Sequence, residues 1–334
     1  MKQVVKIFLV ILISSALYWC SLFPSRDQEI IGDKKDTELR IGWQIPWSIQ
    51  GQIVQVFKHT DILKENWLNA TFKWFLYGPP LNEAALAWDV DVILTADQPA
   101  AVLLSKNHNW IIAGRLMYNR VSLYVPANSE TNSMSGLVGK KIWLPFWAAV
   151  QRMVLREIKN NWFEPNKDIF VANLWMDEQM SLMKNASGAL NWWDFYAMGW
   201  FVPAPYILVE KWFIKTIKED KIVAVVLVSK KLQEKDSDVV DKLLKSLASS
   251  WEYYKINKDQ VNSWFNEESG LMASTWALEI TEKFEPNFTN DIRTAFNSSD
   301  IEIMQDAVNF LYNQKLITNN ITISDFIYPS SLLK

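Results

Sequence analysis

Tyr77 to Ala100 reads YGPPLNEAALAWDVDVILTADQPA, and the order of its parts decides the fold class. Tyr77-Gly78-Pro79-Pro80 stops one element. Leu81, Ala84 and Ala85 then recur at the i, i+3, i+4 spacing of a short helix. Asp91 to Thr95 follows as an apolar, β-branched run of the type buried on both faces of a parallel sheet. The loops at Tyr77-Gly78 and at Thr95 to Pro99 therefore fall on one carboxyl-end edge, where open α/β sheets bind ligands.

Working outward, the same alternation continues in both directions. Leu39 to Gly42 and Ala70 to Leu76 are predicted strands, with a helix between them whose apolar stripe is Ile49, Ile53, Val56 and Phe57 and whose glutamines lie elsewhere. Trp110 to Gly114 and Val121 to Val125 read as two further short strands, and Asn128 to Ser135 as a polar crossing. A strand ending at Pro145 runs into a helix that turns Val150, Val154, Leu155 and Ile158 inward and Arg152, Arg156 and Lys159 outward or toward its ends. Ile169 to Leu174, the region Leu190 to Met198 and the all-apolar Ile222 to Val228 are strands; Met176 to Met183 and the stretch after Pro203-Ala204-Pro205 are helices. From Ser237 onward the pattern is helix after helix. The expectation is an α/β protein with mostly parallel sheets, a helical C-terminal segment and two lobes flanking a cleft.

Composition bounds the partners. The chain has 334 residues, 49% hydrophobic and 21% charged, with a net charge of -3 and lysines scattered rather than striped, so nothing points to a nucleic-acid surface. Met1 to Cys20 carries Lys2 and Lys6, an apolar core from Ile7 to Leu17 and then the only cysteine. That apolar run is short for a membrane span and reads as a secretory signal at 1–20, followed by a polar tether at 21–38. Leu17-Tyr18-Trp19-Cys20 resembles a bacterial lipoprotein signal with Cys20 as the lipidation site, although bulky Trp19 stands where that pattern has a small residue. The plainer alternative is an uncleaved anchor; both place the body outside the cytoplasmic membrane, lipid-anchored in the first case.

Enzyme chemistry finds little support. His59 and His108 are the only histidines, neither at a metal spacing, and no phosphate loop, nucleophile elbow or cysteine pair is present. No catalytic residue, metal or cofactor is expected.

The ordered set IGWQIPW, YGPPLNEAALA, DVILTADQPA, RLMYNR, LVGKKI, LPFWAAVQR and QKLITNNITISDFIYP resembles the solute-binding proteins of nitrate, aliphatic-sulfonate and taurine ABC importers, over roughly Leu39 to Tyr328. Each motif alone is weak; the order is what is specific. The resemblance implies a type II periplasmic-binding-protein fold, with 39–125 and 221–334 as lobe one and 126–220 as lobe two, closing as a monomer on a small anionic or zwitterionic solute for delivery to ABC permease and ATPase subunits. A thiamine-precursor pyrimidine is the alternative ligand. Thiamine-pyrimidine synthases share the architecture but use a histidine and clustered cysteines that this chain lacks.

Candidate ligand residues follow from the loops. Pro145 to Arg152 is a strand–loop–helix turn whose helix N-terminus offers N–H groups to an anion, which singles out Phe146, Trp147 and Ala148. Arg152 offers a bidentate contact or, equally, a solvated or interlobe ion pair. From lobe one come Gln44, Trp47 and Gln50, then Tyr77 and Gly78, then Asp97 and Gln98. Tyr77 and Trp47 either wall the pocket or pack in the core; Asp97 either holds an amine or caps the helix after it. Asn119, with Arg120, is a ligand contact or a hinge group, and Asp194 is the counterpart in lobe two.

Tryptophan is abundant, at 18, and glycine scarce, at 10. Trp67, Trp162 and Trp212 each follow the last residue of a helical segment, where positive φ is usual, and Trp88 sits in a turn. In the resembling family these positions are commonly glycine, as are those of Trp143, Trp147, Trp175, Trp193 and Trp200, and glycine in place of Trp19 would complete the lipoprotein signal. The hypothesis is that UGA codons read as glycine in the cell appear here as tryptophan. Ten such changes bring glycine to about 6%, near the usual ~7%. The alternative is genuine tryptophan in unusual turns. Trp47, Trp110, Trp192, Trp251 and Trp264 have the setting of true aromatic packing.

Overall fold

The strand that opens the fold, β1 (Thr37–Gln44), pairs in parallel with β2 (Leu68–Phe75) along its whole length and with β3 (Val92–Ala96) at Ile41 and Gly42. All five residues of β3 are buried, as its unbroken apolar run predicts. The computed structural model describes residues 36–175, 177–178, 181, 196–285 and 294–332, and the chain from Asp36 onward is one compact unit. The signal, Cys20, the tether up to residue 35, Trp192, Trp193, Asp194 and most of the predicted helix at 176–183 lie outside the described residues.

Two helices connect these strands, α1 (Gln50–His59) and α2 (Gly78–Leu86). The apolar stripe of α1 is buried as expected, but Gln50, Gln52 and Gln55 are buried too. The reason is a second layer: α1 is covered by helices of the C-terminal segment. Gln52 Nε2 donates to Tyr254 Oη at 3.0 Å and bonds Asn262, and Gln55 bonds Glu268, so most of these side-chain amides keep partners inside the protein.

The larger departure from expectation lies in the centre. The two short strands at 110–114 and 121–125 are one seventeen-residue strand, β4 (Trp110–Pro126), antiparallel to the sixteen-residue β8 (Ile214–Ser229) from Trp110↔Ser229 to Pro126↔Ile214. Arg115 to Arg120 looks like an interruption in sequence, yet no proline breaks it and both arginines pair with carboxylates. Arg115 Nη1 donates to both oxygens of Glu285 at 2.8 and 2.9 Å, Tyr118 Oη donates to Asp300 at 2.7 Å and Arg120 Nη1 to Glu219 at 3.1 Å. Three register irregularities, at Ile112/Gly114, Arg115/Met117 and Leu123/Tyr124, bend the pair.

Beyond β4 lies a second parallel set. β5 (Lys141–Leu144) pairs in parallel with β6 (Phe170–Asn173) and β7 (Ala197–Phe201), and β7 runs antiparallel to β4. One eight-stranded sheet results, in the order β2-β1-β3-β8-β4-β7-β5-β6. Four of its seven pairings are parallel and the other three all involve β4 or β8. The molecule is thus two parallel wings, β2-β1-β3 and β7-β5-β6, hung on one antiparallel ribbon.

Five of the nine non-glycine residues with positive φ, among the described residues, are tryptophans: Trp67 (60°), Trp88 (61°), Trp147 (68°), Trp162 (65°) and Trp212 (59°). Four share one hydrogen-bond pattern. The N–H of Trp67, Trp88, Trp162 and Trp212 bonds the carbonyl three residues back, and the next N–H bonds the carbonyl five residues back, as in Leu68→Leu63, Asp89→Ala84, Phe163→Ile158 and Phe213→Leu208. That is the Schellman helix stop, whose left-handed residue is usually glycine. A side chain there costs roughly 1–2 kcal/mol. Trp143, Trp175 and Trp200 are not among the positive-φ residues, so the backbone at those three makes no demand for glycine.

Candidate functional site

The first-wing loops that leave the carboxyl ends of β1, β2 and β3 meet the turn between β5 and the next helix, α4 (Ala149–Asn160), counting α3 (Asp97–Lys106) after β3. The meeting is held by two bonds across the wings. Arg152 Nη2 donates to Asp97 Oδ2 at 2.8 Å, and Gln98 Nε2 donates to the Ala148 carbonyl at 3.0 Å. Arg156, one turn on, pairs with Asp306 at 2.8 Å and with Asp220.

Arg152 therefore faces inward, not outward as its place among polar helix residues indicated. It is 2% exposed and ion-paired with Asp97 of the first wing rather than solvated. Asp97 is the first residue of α3, and its carboxylate is fully engaged: Oδ1 accepts from the Gln98 N–H at 2.6 Å, and Oδ2 accepts from Arg152 and from the Val223 N–H at 3.5 Å. Burial pushes the Asp97 carboxyl up, opposed by Arg152 and the two N–H donors. Burial likewise works against the Arg152 charge, but Asp97, Asp306 and Asp220 outweigh it and hold the guanidinium charged.

Around this pair the remaining predicted residues divide into frame and open groups. Gln44 is frame: its N–H donates to Gln50 Oε1 at 2.6 Å and its Nε2 to Thr95 Oγ1 at 3.1 Å. Gln50 is thereby fixed by one end of its amide, while Nε2 is buried with no hydrogen-bond partner among the described residues. Asn119 is arranged the same way, Oδ1 accepting from the Arg120 N–H at 2.7 Å and Nδ2 unpartnered. Trp47 packs on Phe201 of β7, ring centroids 4.9 Å apart, with its indole N–H also unpartnered. Arg152 Nε and Nη1 and the Trp200 indole N–H are likewise buried without hydrogen-bond partners, as are the indoles of Trp43 and Trp110 elsewhere in the core. Register ties Trp47, Asn119 and Asp97 together: Phe201 pairs with Val121, two residues from Asn119, and Asn119 pairs with Ile222, next to the Val223 N–H bound by Asp97.

Buried donors cost about 1–3 kcal/mol each when unpaired, and those of Gln50, Asn119, Arg152 and Trp47 stand on elements that meet near the Asp97–Arg152 pair, with unpartnered acceptors at Gln98 Oε1 and Asn82 Oδ1 on the first wing. No side chain caps the N-terminus of α4 beside it. The backbone carries strain here too, since Ile49, between Trp47 and Gln50, is β-branched with φ 61°.

Tyr77 caps and Gly78 begins α2. Tyr77 is half-buried, its hydroxyl pushed up by burial and by Asp177 and Glu83, and Gly78 approaches Pro99 so closely that a Cβ would sit 2.3 Å from its Cγ. Phe146 is fixed by its N–H on Asn173 Oδ1 at 2.9 Å. Trp147 is 44% exposed and lines a hollow of about 270 Å3 with Pro79, Asn82, Pro99 and Leu316, facing the first wing. Trp200, Phe201 and the Val223 N–H went unselected in sequence, because a buried β-strand residue carries no local mark of function. Another hollow, about 1210 Å3 and lined by Tyr206, Trp212, Lys215 and Trp276, is wide open and touches none of the carboxyl-edge loops. Among the described residues no His, Cys, Asp and Glu group could hold a metal ion, and no helix is long and apolar enough to cross a membrane.

No family model matches the sequence, and comparison with curated proteins gives no match. Solved structures do match in shape. The alkanesulfonate-binding protein SsuA from Xanthomonas axonopodis pv. citri, bound to MOPS, superposes with a TM-score of 0.70 at 16% identity, covering 88% of this chain and 99% of its own. The periplasmic aliphatic sulphonate binding protein SsuA from Escherichia coli gives 0.69 at 16%, covering 89% and 99%. The desulfurization enzyme DSZB gives 0.64 at 12%, covering 88% and 97%. With its two wings, its crossing ribbon and its carboxyl-edge site, the chain has the two-lobed type II periplasmic-binding fold of these proteins.

Proposed function

We propose that this protein is the extracytoplasmic solute-binding component of an ABC importer, taking a small oxyanion of the sulfonate, taurine or nitrate class between two lobes, 39–125 with 221–334 and 126–220. The single observation that carries the reading is the group of buried N–H donors without hydrogen-bond partners, at Gln50, Asn119, Trp47 and Arg152, on the elements that meet near the Arg152–Asp97 pair. Three oxygens on a sulfonate or nitrate match a donor-rich, acceptor-poor pocket. Arg152 Nη1, Gln50 Nε2, Asn119 Nδ2 and the indoles of Trp47 and Trp200 are the proposed contacts, with the α4 N-terminus beside them and Gln98 holding the wings together. The ligand is captured and released unchanged, by closure about the β4–β8 ribbon. Delivery to permease and ATPase subunits, a monomeric state and lipid attachment at Cys20 on the outer face of the membrane belong to the same proposal.

A thiamine-precursor pyrimidine is the second reading, favoured by the aromatic Trp47, Phe201 and Trp200. An enzyme on this fold is a third possibility raised by the desulfurization enzyme. The chain's only cysteine, at position 20, precedes the fold and so offers no thiol nucleophile within it.

Thermal unfolding with methanesulfonate, taurine, nitrate and a hydroxymethylpyrimidine tests the reading. A ligand at a hundred times its Kd adds about 2.7 kcal/mol to stability. A shift with an oxyanion and none with the pyrimidine is expected. No shift with any oxyanion at millimolar concentration sinks the proposal.

A further inference from the structure

We infer that residues 67, 88, 147, 162 and 212 are glycine in the protein the cell makes, encoded by UGA, a codon one base from both UGG (tryptophan) and GGA (glycine). The backbone carries the argument. Tryptophan is 18 of 334 residues, yet it supplies five of the nine non-glycine residues with positive φ among the described residues. Four of the five occupy the same place in the same hydrogen-bonded helix stop, the place where the absence of a Cβ matters most.

Exposure agrees with this division at four of the five positions; Trp88 is half-buried and stacks on Trp110, and Trp74, Trp175 and Trp276 are exposed without positive φ. Trp162 is 95% exposed, Trp212 85%, Trp67 51% and Trp147 44%, so these rings gain little burial to offset their backbone strain. Trp43, Trp110, Trp200 and Trp251 are at most 1% exposed and none has positive φ. The overall deficit of glycine, 10 of 334, points the same way.

At 147 the assignment alters the binding site, a consequence that rests on the proposed function. Glycine there removes the ring from the hollow beside Pro79 and Pro99 and leaves the backbone before α4 bare to a ligand.

Peptide mass spectrometry of the protein purified from its native source, with the gene sequenced alongside, reads the residues directly. Glycine at 67, 88, 147, 162 and 212 over UGA codons is expected, with tryptophan at 110 and 251; tryptophan at 88 or 162 overturns the inference. As a second measurement, the full chain carrying all five Trp→Gly changes should unfold at a higher temperature than the tryptophan form, and an equal or lower midpoint overturns it. These readouts do not involve the ligand. A Trp147→Gly chain that binds a sulfonate no more tightly than its parent removes the consequence for the site and leaves the glycine assignment standing.

Discussion

Arg152 and Asp97, 55 residues apart in sequence, form a 2.8 Å ion pair across the two wings with both side chains at most 2% exposed. Removing one partner leaves the other charged and buried, which costs about 3–5 kcal/mol, whereas removing both charges is far milder. Asp97→Asn or Arg152→Gln alone should therefore lose several kcal/mol in urea denaturation, and the double variant should recover most of it. Equal losses in the single and double variants would show that the two residues are not coupled.

Burial pushes the carboxyls of Asp97 and Glu285 up despite their arginine partners. A group whose pKa is higher folded than unfolded stabilises the fold fully below its unfolded value, about 3.9 for Asp and 4.3 for Glu, and that contribution is lost as pH rises through the folded value. The parent should thus lose stability relative to the Asp97→Asn, Arg152→Gln double variant as pH is raised from about 4, measured by urea midpoints at a series of pH values. A difference that stays constant across the series contradicts the assignment.

Gly51 in α1 lies under the ring of Phe265, where a Cβ would sit 2.3 Å from Cε2. Alanine is the better helix former by roughly 0.5–1 kcal/mol. The ring is fully buried and cannot swing away, so overpacking of about 1–3 kcal/mol wins. Gly51→Ala should lower the unfolding midpoint; a raised midpoint would show that α1 and its covering helices adjust freely.

Trp162, almost wholly in solvent at φ 65°, predicts the opposite sign. Trp162→Gly should stabilise by about 1 kcal/mol, because relief of left-handed strain exceeds what the exposed ring contributes. Trp110→Gly, at a fully buried position, should destabilise by several kcal/mol. Chemical denaturation of the two variants side by side checks both.

If Gln50 Nε2 and Asn119 Nδ2 meet the solute, Gln50→Ala and Asn119→Ala should each weaken oxyanion binding about tenfold, the equivalent of ~1.4 kcal/mol, beside a loss of about 1–3 kcal/mol in unfolding of the free protein as the Gln44 and Arg120 N–H groups lose their acceptors. Calorimetric titration of the solute that gives the thermal shift provides the measurement. Unchanged affinity in both variants would move the binding place elsewhere.

The parts of this fold legible in sequence are those with local causes. The apolar run of β3, the stripe of α1 and the helix stops at Trp67, Trp162 and Trp212 each follow from neighbours a few residues away. β4 was not legible as one strand because Arg115 and Arg120 look like breakers until Glu285 and Glu219, distant in sequence, are placed beside them. Arg152 was misjudged for the same reason, since a buried arginine looks like a solvated one until its carboxylate is found. In the site, Gln50, Asp97, Gln98 and Ala148 could be named because they stand at strand ends. Trp200 and Phe201 could not, being ordinary strand residues until Trp47 is packed against them.

Pro126 and Ile214 are partners in the ribbon, and the Ala127 N–H donates to the Phe213 carbonyl at 3.0 Å. The middle of the chain thus departs and returns through a gap one strand pair wide. Seen from the first wing, everything between those two residues is a cassette with both ends fixed side by side. Its loops can lengthen, shorten or be exchanged without displacing those junctions, so one half of the molecule can be rewritten while the other keeps its frame.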